Sequence, residues 1–308
     1  MKKLPVMKKS IIFLLIVWIA GGLSLHAQIE PPHISKGQTV VVTLLDGSEI
    51  SGQFVSEDAT SVVVITEAMG KVTIARSKIK EIKVVSGENI RKGKVWFENP
   101  NPYKYLLGNS AIPKPKKTAT YQNVWIFFNS FSYAPTHFLD ITGGFEIFSL
   151  LSASKDAPYF FYLNPKASTK VTKNFYVGGN VLYINSFVHP EKNEFRGLGT
   201  LNAFSTYGNS NMNVTASVGW GFLNSNFEAK PLLTLSGMVR ASRRIAFVSE
   251  NWFLPDLGEN SLGYYGIFSY GIRFLSPKVS IDLAFLNNAD IAEGIPIGFP
   301  FLDFMVTF

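Results

Sequence analysis

Apolar and polar residues alternate singly along most of this chain, the period of two expected of strands that separate an apolar from a polar setting. Met212, Val214, Ala216, Val218, Trp220 and Phe222 fall on one face of such a strand, against Asn213, Thr215, Ser217, Gly219 and Gly221 on the other. Val279, Ile281, Leu283 and Phe285 oppose Ser280, Asp282 and Ala284 in the same way. The pattern resolves into eleven segments, at about 121–134, 138–151, 158–171, 175–187, 197–208, 212–224, 231–241, 244–255, 263–275, 278–287 and 299–308. Tight polar turns at Pro135-Thr136-His137, Thr172-Lys173-Asn174, Asn209-Ser210-Asn211, Ser242-Arg243-Arg244 and Ser276-Pro277-Lys278 alternate with longer connections near 152–157, 188–196, 225–230, 256–262 and 288–298. A soluble sandwich shares the alternation, but short turns on one side and long loops on the other are the topology of a transmembrane up-and-down barrel.

Strand parity sharpens the count. Single-chain bacterial barrels have even numbers of strands. Eleven segments and a C-terminus on the tight-turn side demand one more strand, and Tyr103-Lys104-Tyr105-Leu106-Leu107-Gly108-Asn109 is the available candidate. The expected fold is therefore all-β, with an antiparallel barrel over 103–308 of twelve strands, or ten if 103–109 and one weak segment stay outside. On this reading the basic run Lys114, Lys116 and Lys117 lies in an external loop facing anionic lipopolysaccharide or solvent.

The region before it has a shorter rhythm. Residues 36–86 carry turn signals at Asp46-Gly47 and Met69-Gly70 and predict five short strands, at 39–45, 49–57, 61–66, 71–75 and 79–85. Residues 28–35 read as a flexible arm, and 87–102, ending Asn99-Pro100-Asn101-Pro102, as a linker. Residues 1–27 have the charged, apolar, small-residue order of a secretory signal peptide, with cleavage expected after Ala27. A retained anchor helix over 11–25 is the alternative.

Composition changes the picture once that leader is set aside. Its four lysines account for +4 of the formal charge of +7, so the rest of the chain is close to neutral and gives no ground for a nucleic-acid partner. There is no cysteine, which excludes a disulfide framework, thiol chemistry and a lipoprotein anchor. Hydrophobic residues make up 46% of the chain, yet no apolar run after the leader reaches the length of a membrane helix. A membrane protein without such runs satisfies its backbone by closing strands into a barrel.

Three resemblances add to this. The ending Leu302, Phe304, Val306 and Phe308 on one strand face resembles the C-terminal signal of Gram-negative outer-membrane barrels, which implies the outer membrane as location and the barrel assembly machinery as partner. Val42-Thr43-Leu44-Leu45-Asp46-Gly47 through Gly52-Gln53-Phe54, with Gly70 to Ile74 and Ile79 to Ile82, resembles the Sm-like small barrel, here expected in the periplasm and lacking that family's RNA-contacting set. The stretches 120–125, 235–240, 249–253 and 264–273 look like those of uncharacterised barrel proteins exported by Bacteroidota, a resemblance that implies fold and compartment but no activity.

Candidate chemistry is sparse. With apolar faces turned to lipid, Asp140, Glu146, Arg240, Arg273, Asp282 and Asp303 point into the lumen. They either pair and fill a narrow interior or line a passive channel for small polar solutes. Lys71, Arg76, Lys78, Lys80 and Lys83 make the closing strands of the small domain basic, either a solvated face or a dock for an anionic periplasmic or cell-wall partner. No His-Ser-Asp arrangement stands out; Ser186 and His189 at the outer rim are the nearest to a lipid hydrolase, and His33 and His137 sit in the arm and a turn. No metal-ligand spacing or cofactor motif is present. The leading expectation is a narrow passive channel for small polar solutes with a periplasmic accessory domain; a non-conducting envelope anchor for a periplasmic partner is the alternative, and a lipid hydrolase the third.

Overall fold

The structure, a computed structural model, describes residues 34–85, 90–91, 94–151, 159–187, 195–223, 226–255 and 263–308. The expected signal peptide, most of the arm, and His33 and His189 lie outside the described residues. The chain forms two compact units, Met1–Val95 and Trp96–Phe308.

The first unit is a five-stranded antiparallel sheet: β1 Thr39–Leu44, β2 Glu49–Glu57, β3 Ser61–Thr66, β4 Gly70–Ala75 and β5 Ile79–Val84. Its strand order is β4-β3-β2-β1-β5, with a single 3-10 turn, Arg76–Lys78, carrying the chain from β4 across to β5. Alternate apolar positions build the core of Val40, Val42, Phe54, Val62, Val64 and Ile74. Two Asp residues shape the hairpins. Asp46 accepts from the amide and hydroxyl of Ser48 at 2.9 and 2.6 Å, beside Gly47 at φ +86°. In the β2–β3 turn the Thr60 hydroxyl, with the amides of Thr60 and Ser61, pulls the Asp58 carboxyl down to about 2.

The second unit is a closed barrel of twelve antiparallel strands: β6 Ala119–Val124, β7 Phe128–Tyr133, β8 Leu139–Glu146, β9 Tyr159–Thr172, β10 Phe175–Phe187, β11 Phe195–Gly208, β12 Met212–Leu223, β13 Leu232–Arg240, β14 Ile245–Pro255, β15 Tyr264–Leu275, β16 Val279–Asn287 and β17 Phe299–Thr307. Each strand pairs with its chain neighbour, and β17 pairs with β6 (Val306 with Tyr121, Met305 with Gln122) to close the ring. Met212, Val214, Val239, Phe247, Ile272, Leu283 and Leu302 stand exposed on the outside, as the alternation requires. Asn213, Thr215, Arg240, Glu250, Arg273, Asp282 and Asp303 are buried inside. No described helix is long and apolar enough to cross a membrane, which says nothing of strands.

Twelve is the expected number, but the twelfth strand comes from another place. The segment 121–134 is two strands, folded at Trp125-Ile126-Phe127, where Trp125 and Ile126 adopt left-handed φ values of 50° and 70°. Such a turn ordinarily recruits Gly or Asn. Here Trp125 offsets the strain by packing edge-on against Phe128, Phe299 and Phe301 and donating its indole N–H to the Pro300 carbonyl at 2.9 Å. Residues 103–109 are not in the wall at all. They lie within the lumen, as part of a segment, 96–118, that runs up from the tight-turn end and back. Residues 96–102 of the expected linker belong to this segment.

The closure makes a direct prediction in a chain that has no native thiol. Cysteines at Tyr121 and Val306, opposite each other and facing outward, join as a disulfide on mild oxidation, since opposed antiparallel residues lie within bridging range. Were 103–109 a wall strand between β6 and β17, the pair would be too far apart and would stay reduced.

Candidate functional site

The site is built from the folded-in segment upward. Trp96 and Phe97 enter at the tight-turn end, under the Arg240 guanidinium, which lies 5.0 and 4.5 Å from their rings and donates to the Phe97 carbonyl at 2.7 Å. The chain then rises and reverses as a small hairpin. The amide of Tyr105 donates to the Gly108 carbonyl at 3.0 Å, that of Ser110 to the Tyr103 carbonyl at 3.0 Å, and Lys104 bridges Asn109. It descends through Lys114 to the start of β6. Lys116 and Lys117, expected outside, are exposed at the tight-turn end, while Lys114 is buried in the lumen.

A hairpin this small cannot satisfy its own backbone, and in a closed barrel no bulk water does so. The wall supplies the partners. Glu250 on β14 accepts the amides of Leu106, Leu107 and Gly108 at 2.8–3.0 Å, a carboxylate cradled by three successive N–H groups. A Cβ at Gly108 would lie 2.9 Å from that carboxylate, which explains glycine there. Arg273 on β15 does the converse for carbonyls. It donates to Asn101, Lys104 and Tyr105 at 3.1, 2.9 and 2.8 Å while both its other donors hold Asp282 on β16 at 2.7 Å. Both members of that ion pair are fully buried.

The remaining strands follow suit. Tyr105 donates to Asn213 at 2.6 Å and bonds Thr215 on β12; the Ala111 amide donates to Thr206 on β11 at 2.7 Å. Asn101 donates to Ser280 on β16 at 2.7 Å, and the Tyr103 hydroxyl meets Thr120 on β6 and Thr307 on β17. Lys104 donates to Gln122, and Lys114 to Ser132 on β7 and to Asp140 on β8, the latter at 3.0 Å. Lys166 on β9 donates to the Ser110 and Ile112 carbonyls at 3.3 and 3.4 Å. Strand β10 adds Tyr176 to an apolar cluster with Ala111, Ile112 and Phe204. All twelve strands therefore engage the segment. Above the hairpin, Leu106, Val124 and Phe301, with Phe128 and Leu286 against them, form an apolar layer. Among Tyr103, Lys104, Lys114, Asp140 and Met305 a cavity of about 10 Å³ remains, room for one water.

Five of the six expected lumen charges sit in this network or beside it. Asp303 accepts from the Gln122 side-chain amide on one oxygen at 2.7 Å, and its other oxygen has no hydrogen-bond partner. Glu146 is the exception: half-buried at the end of β8, it accepts the Phe148 amide at 2.7 Å at the start of helix α1, Ile147–Leu151. Lys104, Lys114, Lys166 and Glu250 were not foreseen as lumen groups. Glu250 shares its strand face with Ala246, Val248 and Trp252, and a face that apolar reads as turned to lipid, which hides its inward direction in the sequence. Of the small-domain cations, Arg76 pairs with Glu57 and Lys83 with Glu81, each at 2.8 Å, and Lys71, Lys78 and Lys80 are exposed. Leu302 and Phe304 are exposed on the outer face of β17, Val306 is half-buried there, and Phe308, just past the strand, is exposed. His137 lies in a tight turn, edge-on to Phe138. No metal-ligating cluster occurs among the described residues.

Comparisons with solved structures return outer-membrane barrels at low similarity. The outer membrane protein Omp33 of Acinetobacter baumannii is 9% identical with a TM-score of 0.34, covering 62% of this chain and 95% of its own. Outer-membrane expressed OmpT of Vibrio cholerae is 8% identical with a TM-score of 0.33, covering 88% of this chain and 94% of its own. No family model and no curated protein matches the chain significantly.

The two clamps predict separable effects. Arg273→Ala leaves Asp282 buried without its partner and is expected to destabilise the barrel by about 3–5 kcal/mol. Glu250→Gln, which keeps the size and one acceptor oxygen, costs about 1–3 kcal/mol. Urea unfolding in detergent micelles, followed by heat-modifiable gel mobility, measures both; losses under ~0.5 kcal/mol in both variants would show that the clamps do not hold the segment.

Proposed function

We propose that this protein is a non-conducting outer-membrane β-barrel that anchors its N-terminal five-stranded domain on the periplasmic side. One observation carries the reading: residues 96–118 occupy the lumen and are bonded to side chains around the whole wall. The lumen charges serve as clamps for this segment. A passive channel would need the same charges turned to water, and the 10 Å³ space beside Lys104 and Asp140 holds too little of it. The outward row Leu302, Phe304 and Val306 on β17 fits recognition by the barrel assembly machinery, and with the tight turns in the periplasm the segment enters the barrel at Trp96 from that side. The small domain, Sm-like in its sequence motif, then presents Lys71, Lys78 and Lys80 to an anionic envelope partner. Lipid is the solvent for the outer face.

Planar bilayer recordings test the reading. The intact protein is expected to insert silently, and a variant lacking residues 98–116, or Glu250→Ala, to show stepwise conductance. Steps in the intact protein that change when Arg273 or Asp282 is neutralised would support the channel instead. Crosslinking from Lys78 or Lys80 in envelopes should recover a periplasmic or cell-wall component.

A further inference from the structure

The outer wall is not a uniform cylinder. Across β12 to β17 it is concave, forming an apolar groove of about 1260 Å³ between Met212, Val239, Phe247, Ile272, Leu283 and Leu302. Five strand spacings give it a length of roughly 24 Å. A convex wall needs only fluid lipid around it, whereas this hollow, running across the strands below the turns, gives a chain that descends beside Phe247 and Ile272 a seat in the wall.

Charge singles out one end. The residues of the tight turns and the approach to β6 include Lys116, Lys117, Lys173, Arg243, Arg244 and Lys278 and no Asp or Glu. Among the described residues, the connections at the opposite end hold Glu228, Asp290 and Glu293 against the single cation Lys230. Arg244 and Lys278 are exposed on neighbouring turns, where the Arg244 carbonyl accepts the Leu275 amide at 2.8 Å. From them the outward residues Ile245, Phe274 and Ile281 continue the apolar surface into the groove, with Phe247 about 10 Å from Arg244.

We propose that the groove holds an acyl chain of an anionic phospholipid whose phosphate sits between Arg244 and Lys278. This rests on the membrane-barrel reading above. Commitment to a phospholipid of the leaflet at the tight-turn end follows from the charge: the acidic opposite end repels an anionic headgroup, and the basic turns attract one. A second copy of this chain is the competing occupant, and its turns would bring the same cations face to face.

The test uses the full-length protein in vesicles of phosphatidylglycerol or of phosphatidylcholine, extracted gently and weighed by native mass spectrometry. Heat-modifiable mobility first shows that the barrel has inserted in both; failure to insert would overturn the membrane reading and this proposal with it. The inserted protein is expected to retain phosphatidylglycerol in preference to phosphatidylcholine. Arg244→Ala with Lys278→Ala lowers that preference by roughly thirtyfold, about fivefold per cation. Gly237→Leu reduces the lipid retained from either vesicle. Gly237 faces the groove, and an added Cβ makes only an ordinary contact at 3.6 Å, so this variant fills the groove without disturbing the wall. Equal retention of both lipids, retention unchanged in Gly237→Leu, or a lipid-free dimer would overturn the proposal while leaving the barrel intact.

Discussion

A stretch of backbone inside a closed barrel must find a partner for each of its amides and carbonyls, and the interior of this molecule is organised by that need. Two side chains meet most of it at the hairpin. Glu250 takes three successive amides and Arg273 takes three carbonyls, so the apex and flanks of the segment are held by opposite charges on adjacent strands. Neither charge could be buried alone without a large desolvation cost. Each is therefore a condition for the folded-in segment, and the segment is a condition for each. The same reciprocity links Lys114 to Asp140.

Barrel size explains why such a segment exists. Eight strands enclose a space that side chains fill, and sixteen leave an aqueous channel. Twelve strands fall between. Here the gap is closed in two layers, a polar one in which chain 96–118 meets the wall and an apolar one of Val124, Phe128, Phe301 and their neighbours. A filled interior leaves the outer face and the turns as the surfaces through which the barrel meets its surroundings.

Much of this architecture was legible in the alternation of residues. Strands β8 to β17 appear where the pattern places them, because lipid on one side and a polar interior on the other force a strict period of two. Parity correctly demanded a twelfth strand. Its source was hidden because the β6–β7 turn is made by Trp125 and Ile126, residues that carry no turn signal and are tolerated at positive φ only through the aromatic cluster around Trp125. The segment at Tyr103 misled for a related reason: Tyr103 and Tyr105 alternate like strand residues because they are half of a hairpin, bonded partly to itself. Asp140, Arg240, Arg273, Asp282 and Asp303 were legible as inward, since a charge on the lipid face is costly. What they bind was not: Arg240 and Arg273 hold carbonyls of a segment distant in sequence, and backbone groups leave no trace in side-chain pattern, while Asp140 takes Lys114 from that segment and Asp282 and Asp303 take Arg273 and Gln122 on the wall.

Hydrogen exchange of the amides of Leu106, Leu107 and Gly108 in the full-length protein tests the seated segment most directly. If Glu250 holds them inside the wall, they exchange as slowly as the central amides of β12 and β16. Exchange at the rate of an exposed loop, with the barrel strands still protected, would show that the segment does not occupy the lumen and would contradict the account.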